Sequence, residues 1–326
     1  MQKRAIPRHG EAHGEARGGK RGMLNTERDL FPGFEERTLA GDGVEIHCRI
    51  GGSGPPLLLL HGYPQTHAMW HPVAGDLARC FTVVIADLRG YGRSGAPEGD
   101  ADHMLYSKRQ MARDMIVVMR ALGHERFAVA GHDRGGRVAY RMAFDHPDSV
   151  TRLAVLDILP TYDYWQNMDW RYAMAIYHWL FLAQPKPLPE RLIAGAPDFY
   201  LDYTLASWTA TKDLSAFDPD ALAEYRASFR QEARQHAACE DYRAGATIDM
   251  DLDTRDREAG RRIACPLLVI YGAAGLAGKT ATPLDTWSTW GDDVSGAPVD
   301  AGHFMVEENP AETLRVLLSF LCEGVC

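Results

Sequence analysis

The sequence has little that would tie it to a membrane, a nucleic acid or a structural metal. Among its 326 residues acidic side chains outnumber basic ones, 44 to 35, for a formal net charge of −9. No basic excess is available to displace counterions from nucleic acid or anionic lipid. Its longest apolar runs are strand-sized, as in Pro55 to Leu60, well short of a membrane span. The six cysteines are scattered, with no C-x-x-C pair and no histidines at zinc-ligand spacing. They read as reduced thiols in a cytoplasm. Residues 1–22 hold six Lys or Arg, two Glu and five Gly without the apolar core of a signal peptide. They are expected to be a disordered extension, with Met23 an alternative start to Met1.

What is present is a soluble composition, 46% hydrophobic and 24% charged. That is enough to bury a large core in one domain carrying an insertion. Short β-rich apolar runs recur at Val44–Ile50, Leu57–Leu60, Phe81–Ala86, Phe127–Ala130, Leu153–Leu156 and Leu267–Tyr271. Between them, Met111, Met115, Val118 and Leu122 recur every three or four residues, predicting an amphipathic helix over 107–122. Continuous apolar strands alternating with such helices predict an α/β fold, a mostly parallel sheet covered on both faces.

The alternation stops near Pro160. No strand pattern follows until the chain resumes around Ile263 to Leu267, and the intervening stretch holds four of the seven Trp and eight of the thirteen Tyr. A helical cap over 161–255 is expected above the carboxyl end of the sheet, with 23–160 and 256–326 as the core. Most of its aromatics are expected to pack the cap itself.

The sharpest local pattern is Gly131-His132-Asp133-Arg134-Gly135-Gly136-Arg137, at the end of an apolar run and the start of a helix. Glycines two before and two after the central residue suit a strand-to-helix turn too tight for β-carbons, the form of a nucleophile elbow. The raised residue is Asp133, not Ser. A carboxylate displaces a leaving group from saturated carbon and forms an alkyl ester on the enzyme, which water then hydrolyses. Read blandly, Asp133 would only cap the helix.

A base for that hydrolysis is found in His303, which lies after the last β-like segment and before a C-terminal helix. The loop His61-Gly62-Tyr63-Pro64 follows an early strand, where the backbone N–H of Tyr63 could join that of Arg134 in holding an oxyanion. A simple turn is the competing reading. After Leu267–Gly272, where many such folds carry the orienting acid, the sequence runs Ala-Ala-Gly-Leu-Ala-Gly, with no carboxylate until Asp285. Asp157, ending the preceding strand, is the expected substitute. A buried structural Asp would look the same.

Together with Leu30-Phe31-Pro32-Gly33, Leu156 to Tyr162, Ile176-Tyr177-His178-Trp179 and Cys239 to Arg243, these motifs resemble the fluoroacetate (haloacetate) dehalogenases of the α/β-hydrolase superfamily over nearly the whole chain. The resemblance implies nucleophile Asp133, base His303 and acid Asp157. It implies further that Arg134 and Arg137 bind the substrate carboxylate and that His178, Trp179 and Tyr242 surround the departing halide. Guanidinium forks match carboxylates, and fluoride leaves readily only into several N–H and O–H donors. A small halogenated acid as substrate, a homodimer, and no metal or organic cofactor are also implied. Tyr63 stands where the family carries Phe. The competing activities are an epoxide hydrolase with the same nucleophile and a non-catalytic relative that binds a small acid.

Overall fold

The computed structural model describes residues 28–275 and 283–323. The expected disordered extension and the alternative start at Met23 lie outside them. Eight strands form one sheet in the order β1-β2-β4-β3-β5-β6-β7-β8: β1 Glu35–Ala40, β2 Glu45–Gly51, β3 Pro56–Leu60, β4 Thr82–Ala86, β5 Phe127–His132, β6 Val150–Leu156, β7 Leu267–Gly272 and β8 Val294–Val299. Pairings from β4 through β8 are parallel, while β2 runs antiparallel to both β1 and β4. The central strands β3 to β6 are buried along almost their whole length because helices cover both faces, which is why they read as unbroken apolar runs.

Among the described residues six helices serve the core: α1 His71–Leu77, α2 Lys108–Ala121, α3 Arg134–Asp145, then, after β7, α12 Pro283–Ser288, α13 Met305–Glu308 and α14 Pro310–Leu321. Ser107 caps α2 by accepting from the Gln110 N–H, and Met111, Met115, Val118 and Met119 of that helix are buried. Between β6 and β7 the described residues form helices only: α4 Thr161–Gln166, α5 Trp170–Ala175, α6 Tyr177–Leu182, α7 Leu188–Ala194, α8 Pro197–Trp208, α9 Pro219–Phe229, α10 Glu232–Ala246 and α11 Ile248–Glu258. Among the described residues no helix is long and apolar enough to cross a membrane.

Two strands carried no clear signal in the sequence. β1 is exposed at nearly every residue, an edge strand with no face to bury. β8, Val-Ser-Gly-Ala-Pro-Val, is the opposite edge, where a Pro and a Gly are tolerated because half the ladder is unpaired.

Candidate active site

The turn between β5 and α3 is as tight as its glycines require. A Cβ on Gly131 would stand 2.4 Å from the Gly135 carbonyl oxygen, and one on Gly135 would stand 2.4 Å from that of His61. Asp133, between them, is held at φ 45° and ψ −114°, a conformation that strains any residue with a β-carbon. Its N–H is tied to the Leu156 carbonyl at 3.2 Å. The side chain is thereby lifted off the carboxyl end of β5, 7% exposed, into a cavity of about 300 Å³ between the sheet and the helices of residues 161–258.

One oxygen of Asp133 accepts the Tyr63 backbone N–H at 2.8 Å. Close approach of this loop depends on Gly62, whose added Cβ would meet the Asp133 Cβ at 2.4 Å. The Tyr63 N–H thus holds the carboxylate from one element, while the Arg134 N–H at the start of α3 is left without a partner in the helix. The loop is fixed from behind: His61 donates from Nδ1 to the Gly62 carbonyl at 2.9 Å and accepts the Leu88 N–H on Nε2 at 3.0 Å. Gln65 hydrogen-bonds Glu307, whose buried carboxyl is pushed up to about 8 by loss of water.

His303 stands at the start of the last turn region, its Nδ1 2.6 Å from Asp157 Oδ2. Asp157 directly follows β6 at φ 53° and accepts the Gly272 N–H on its other oxygen at 3.0 Å. A Cβ on Gly275 would lie 3.2 Å from that same oxygen, so the carboxylate-free segment after β7 leaves room for Asp157. Burial pushes His303 down, but Asp157 and then Asp133 outweigh it and hold its pKa above the ordinary value. Burial likewise pushes Asp133 up, and His303, His132, Arg134 and Arg137 outweigh it and keep its pKa below. His303 Nε2 has no hydrogen-bond partner, leaving that nitrogen available to a water or a reacting group.

The two arginines differ from the sequence expectation that both face one anion. Arg137 lines the cavity, with its Nη1 on Thr161 Oγ1 at 3.0 Å and its guanidinium over the rings of Tyr164 and Trp179. Among the described residues it makes no ion pair. Arg134 does not line the cavity. It is fully buried against Asp241, through Nη2 at 2.6 Å and Nε at 3.1 Å, and stacks on Tyr242 at 4.1 Å. Asp241 also binds Lys108 and the Tyr91 hydroxyl. Arg134 is thus charge-compensated within the protein, with only Nη1 unpartnered.

Above Asp133, His178 and Trp179 line the cavity, and Tyr242 packs edge-on against both. Burial lowers the His178 pKa to about 3, so its imidazole is neutral near pH 7. His178 Nδ1 and the Tyr242 hydroxyl have no partner. The Tyr63 ring lies parallel to His178 at 6.4 Å, and its hydroxyl, beside that of Tyr200, meets no partner at hydrogen-bonding geometry. Trp208 and Lys212 also line the cavity, and neither was marked by any local pattern in the sequence.

A second polar cluster, His47, His67 and Asp87, has atoms close enough to hold a cation. Asp87 is already saturated, however, accepting His67 N–H at 2.7 Å, His67 Nδ1 at 3.0 Å, His47 Nδ1 at 3.0 Å and Arg93 N–H at 2.9 Å. It anchors the segment after the Tyr63 loop.

A cavity-facing carboxylate at a strand-to-helix elbow, held by a backbone N–H, with an Asp–His pair at the same cavity, is the active-site arrangement of an α/β-fold hydrolase. The chain belongs to the α/β hydrolase fold family, whose profile matches residues 55–310. A fluoroacetate dehalogenase from Burkholderia sp. is 49% identical over 90% of this chain and 96% of its own. A soluble epoxide hydrolase from Corynebacterium sp. (strain C12) is 30% identical over 86% and 94%. Among solved structures, a putative alpha/beta hydrolase from Nostoc sp. PCC 7120 superposes with a TM-score of 0.87 at 50% identity, covering 89% of this chain and 99% of its own.

Proposed function

We propose that this hydrolase dehalogenates haloacetates, with Asp133 as nucleophile, His303 as base and Asp157 as its orienting acid. The observation that carries the reading is the juxtaposition of an ionised Asp133 with an arginine that lacks a carboxylate partner, Arg137, in one small cavity roofed by unpartnered donors. The substrate carboxylate sits on Arg137, and Arg134 offers at most its remaining Nη1. An Asp133 oxygen attacks the halogen-bearing carbon from the side opposite the halogen. A C–O bond forms as the carbon–halogen bond breaks, and the halide leaves with its electron pair toward His178, Trp179 and Tyr242. His303 then takes a proton from water, which adds to the ester carbonyl of Asp133. The Tyr63 and Arg134 N–H groups hold the resulting oxyanion. Collapse breaks the ester C–O bond, His303 returns its proton to the departing oxygen so that the hydroxy acid leaves, and one Asp133 oxygen now comes from water. The identity to the Burkholderia fluoroacetate dehalogenase supports the same reading.

The test is a single turnover in oxygen-18 water with enzyme in excess over chloroacetate. The label is expected in the Asp133 peptide by mass spectrometry. Label found only in glycolate in that first turnover means that water attacks carbon directly and the covalent route is wrong. Epoxide hydrolysis is the second reading, favoured by the soluble epoxide hydrolase relative. An unpaired Arg137 in the cavity suits an acid better than a neutral epoxide, and halide release from haloacetates against turnover of styrene oxide separates the two.

We also propose a cytoplasmic homodimer. The thiols of Cys48, Cys80, Cys239 and Cys265 are free, as a reducing compartment would keep them. Trp170, Met174, Leu192, Phe199 and Tyr203, on α5, α7 and α8, are each more than half exposed, and apolar surface on that scale suits a second copy of the chain. Light scattering should give twice the chain mass, falling to one in Phe199→Glu.

A further inference from the structure

Among the described residues the cavity is lined by two Lys or Arg side chains, Arg137 in its interior and Lys212 on the segment between α8 and α9. Lys212 is exposed, and its ammonium donates to the Ser207 carbonyl at 2.7 Å, another cavity-lining residue. Among the described residues Lys212 makes no ion pair. Its neighbour Asp213 is turned away into its own loop, where one carboxylate oxygen accepts from the Ser215 N–H, the Ser215 hydroxyl and the Thr211 hydroxyl. An ammonium without a carboxylate partner, on a chain of net charge −9, stands at the same cavity as the nucleophile.

Its position is fixed by the site's own machinery. The His303 N–H donates to the Trp208 carbonyl at 3.0 Å. The Ala210 and Gly302 N–H groups share one oxygen of Glu308, at 2.7 and 2.9 Å, and the Phe304 N–H takes the other at 2.9 Å. The contact is so close that a Cβ on Gly302 would stand 2.5 Å from the Ala210 nitrogen. Residues 208–210 are thus clamped onto the loop of His303. Two residues later Lys212 adopts φ 62°, a left-handed backbone that strains a residue with a β-carbon and persists only where its surroundings hold it. That strained turn keeps the side chain on the cavity side of the segment.

We propose that Lys212 is a specificity-determining residue of this enzyme, an entrance cation that draws the substrate carboxylate toward the cavity and hands it to Arg137. The proposal rests on the haloacetate reading. The chemistry requires such help, because an anion must enter beside the negative Asp133 in a molecule that repels it overall. A single cation at a cleft mouth raises local anion concentration, and the gain fades as salt screens it. A neutral ligand gains nothing.

Lys212→Gln, Lys212→Arg and the unaltered enzyme should be compared in two ways. The first is chloroacetate turnover at low and high salt. The second is binding of the anion glycolate and of neutral glycolamide by calorimetry. In the Gln variant kcat/KM for chloroacetate should fall about three- to tenfold at low salt, mostly through KM, and the salt dependence should flatten. Glycolate affinity should fall in parallel, glycolamide affinity should not change, and Lys212→Arg should restore both anion measures. Unchanged KM, glycolate affinity and salt dependence in Lys212→Gln overturn the proposal, as does an equal loss for glycolamide, which would mean that the loop itself had moved. If the unaltered enzyme releases no halide from any haloacetate, the dehalogenase reading fails, and the glycolate ratio between the unaltered enzyme and the Gln variant still decides the role of Lys212.

Discussion

On the floor of the cavity, Asp133 and Asp157 directly follow parallel strands at positive φ, and each carboxylate accepts a backbone N–H, from Tyr63 and from Gly272. On the roof, His178 Nδ1 and the Tyr242 hydroxyl are buried in helices and meet no acceptor. An unmet buried polar group costs about 1 to 3 kcal/mol. The floor spends backbone strain to hold reacting atoms in one geometry, whereas the roof leaves donors unsatisfied so that an anion formed during the reaction can satisfy them. That division matches two separate tasks, making and breaking the ester below and receiving a leaving group above.

Removing the floor should have the largest effect, because nothing else in the cavity can replace a strained, positioned group. In His303→Asn the displacement should proceed and the hydrolysis stop, so that incubation with chloroacetate leaves Asp133 alkylated and visible as added mass. Asp157→Asn should slow ester hydrolysis by about 10⁴, the loss typical when the acid orienting a catalytic imidazole is neutralised. Unmodified Asp133 in a folded His303→Asn protein would remove His303 from the proposed role. Full activity in Asp157→Asn would return Asp157 to a structural one.

Breaking the roof should be milder and selective. Tyr242→Phe keeps the ring that packs against His178 and Trp179 and deletes only the unpartnered hydroxyl. Loss of one donor to a developing anion costs on the order of 10² to 10³ in rate. Fluoride, the poorest leaving group, should show most of that loss and bromide far less. Equal losses across fluoro-, chloro- and bromoacetate would mean that the roof only packs.

The same contrast tracks what could be read from the sequence. Floor residues announced themselves because tight turns demand glycine at fixed offsets from Asp133 and because the central strands are continuous apolar runs. Roof residues fall at no such offsets, so His178, Trp179 and Tyr242 were legible only through family resemblance, and Trp208 and Lys212 not at all. Arg134 and Arg137 look equivalent three residues apart on one helix. They differ because Asp241, 107 positions away, neutralises the first, while a neutral Thr161 holds the second. Local spacing carries no information about such long-range pairing.

Electrostatic coupling across the floor gives a smaller, purely spectroscopic effect. His303 is held above its ordinary pKa first by Asp157 and then by Asp133, against the opposing pull of burial. Asp133→Asn removes one negative charge, so the His303 pKa followed by NMR should move down. Esterification neutralises the same carboxylate. The base that must deprotonate water is therefore less basic, and more often neutral, in the intermediate than in the free enzyme. Ester hydrolysis should rise with pH through a lower midpoint than the one His303 shows in the free enzyme. An unchanged His303 midpoint in Asp133→Asn would separate the two groups.

The smallest effect is expected at Tyr63, where floor and roof meet. Its backbone N–H belongs to the floor and donates to Asp133, while its ring belongs to the roof and stacks beside His178. Only the hydroxyl is in question, and it is buried without a partner at hydrogen-bonding geometry. If that hydroxyl is a roof donor, Tyr63→Phe should cost fluoroacetate turnover more than bromoacetate turnover, as at Tyr242. If it serves no anion, deleting it relieves an unmet polar group and leaves both the N–H and the ring in place. The second outcome is expected, because the Tyr63 contact to Asp133 is made by the backbone and the hydroxyl lies beside that of Tyr200. Turnover of each haloacetate should then stay within about threefold, and thermal unfolding should shift upward by the equivalent of about 1 kcal/mol. A selective loss with fluoroacetate would instead enlarge the roof by one donor.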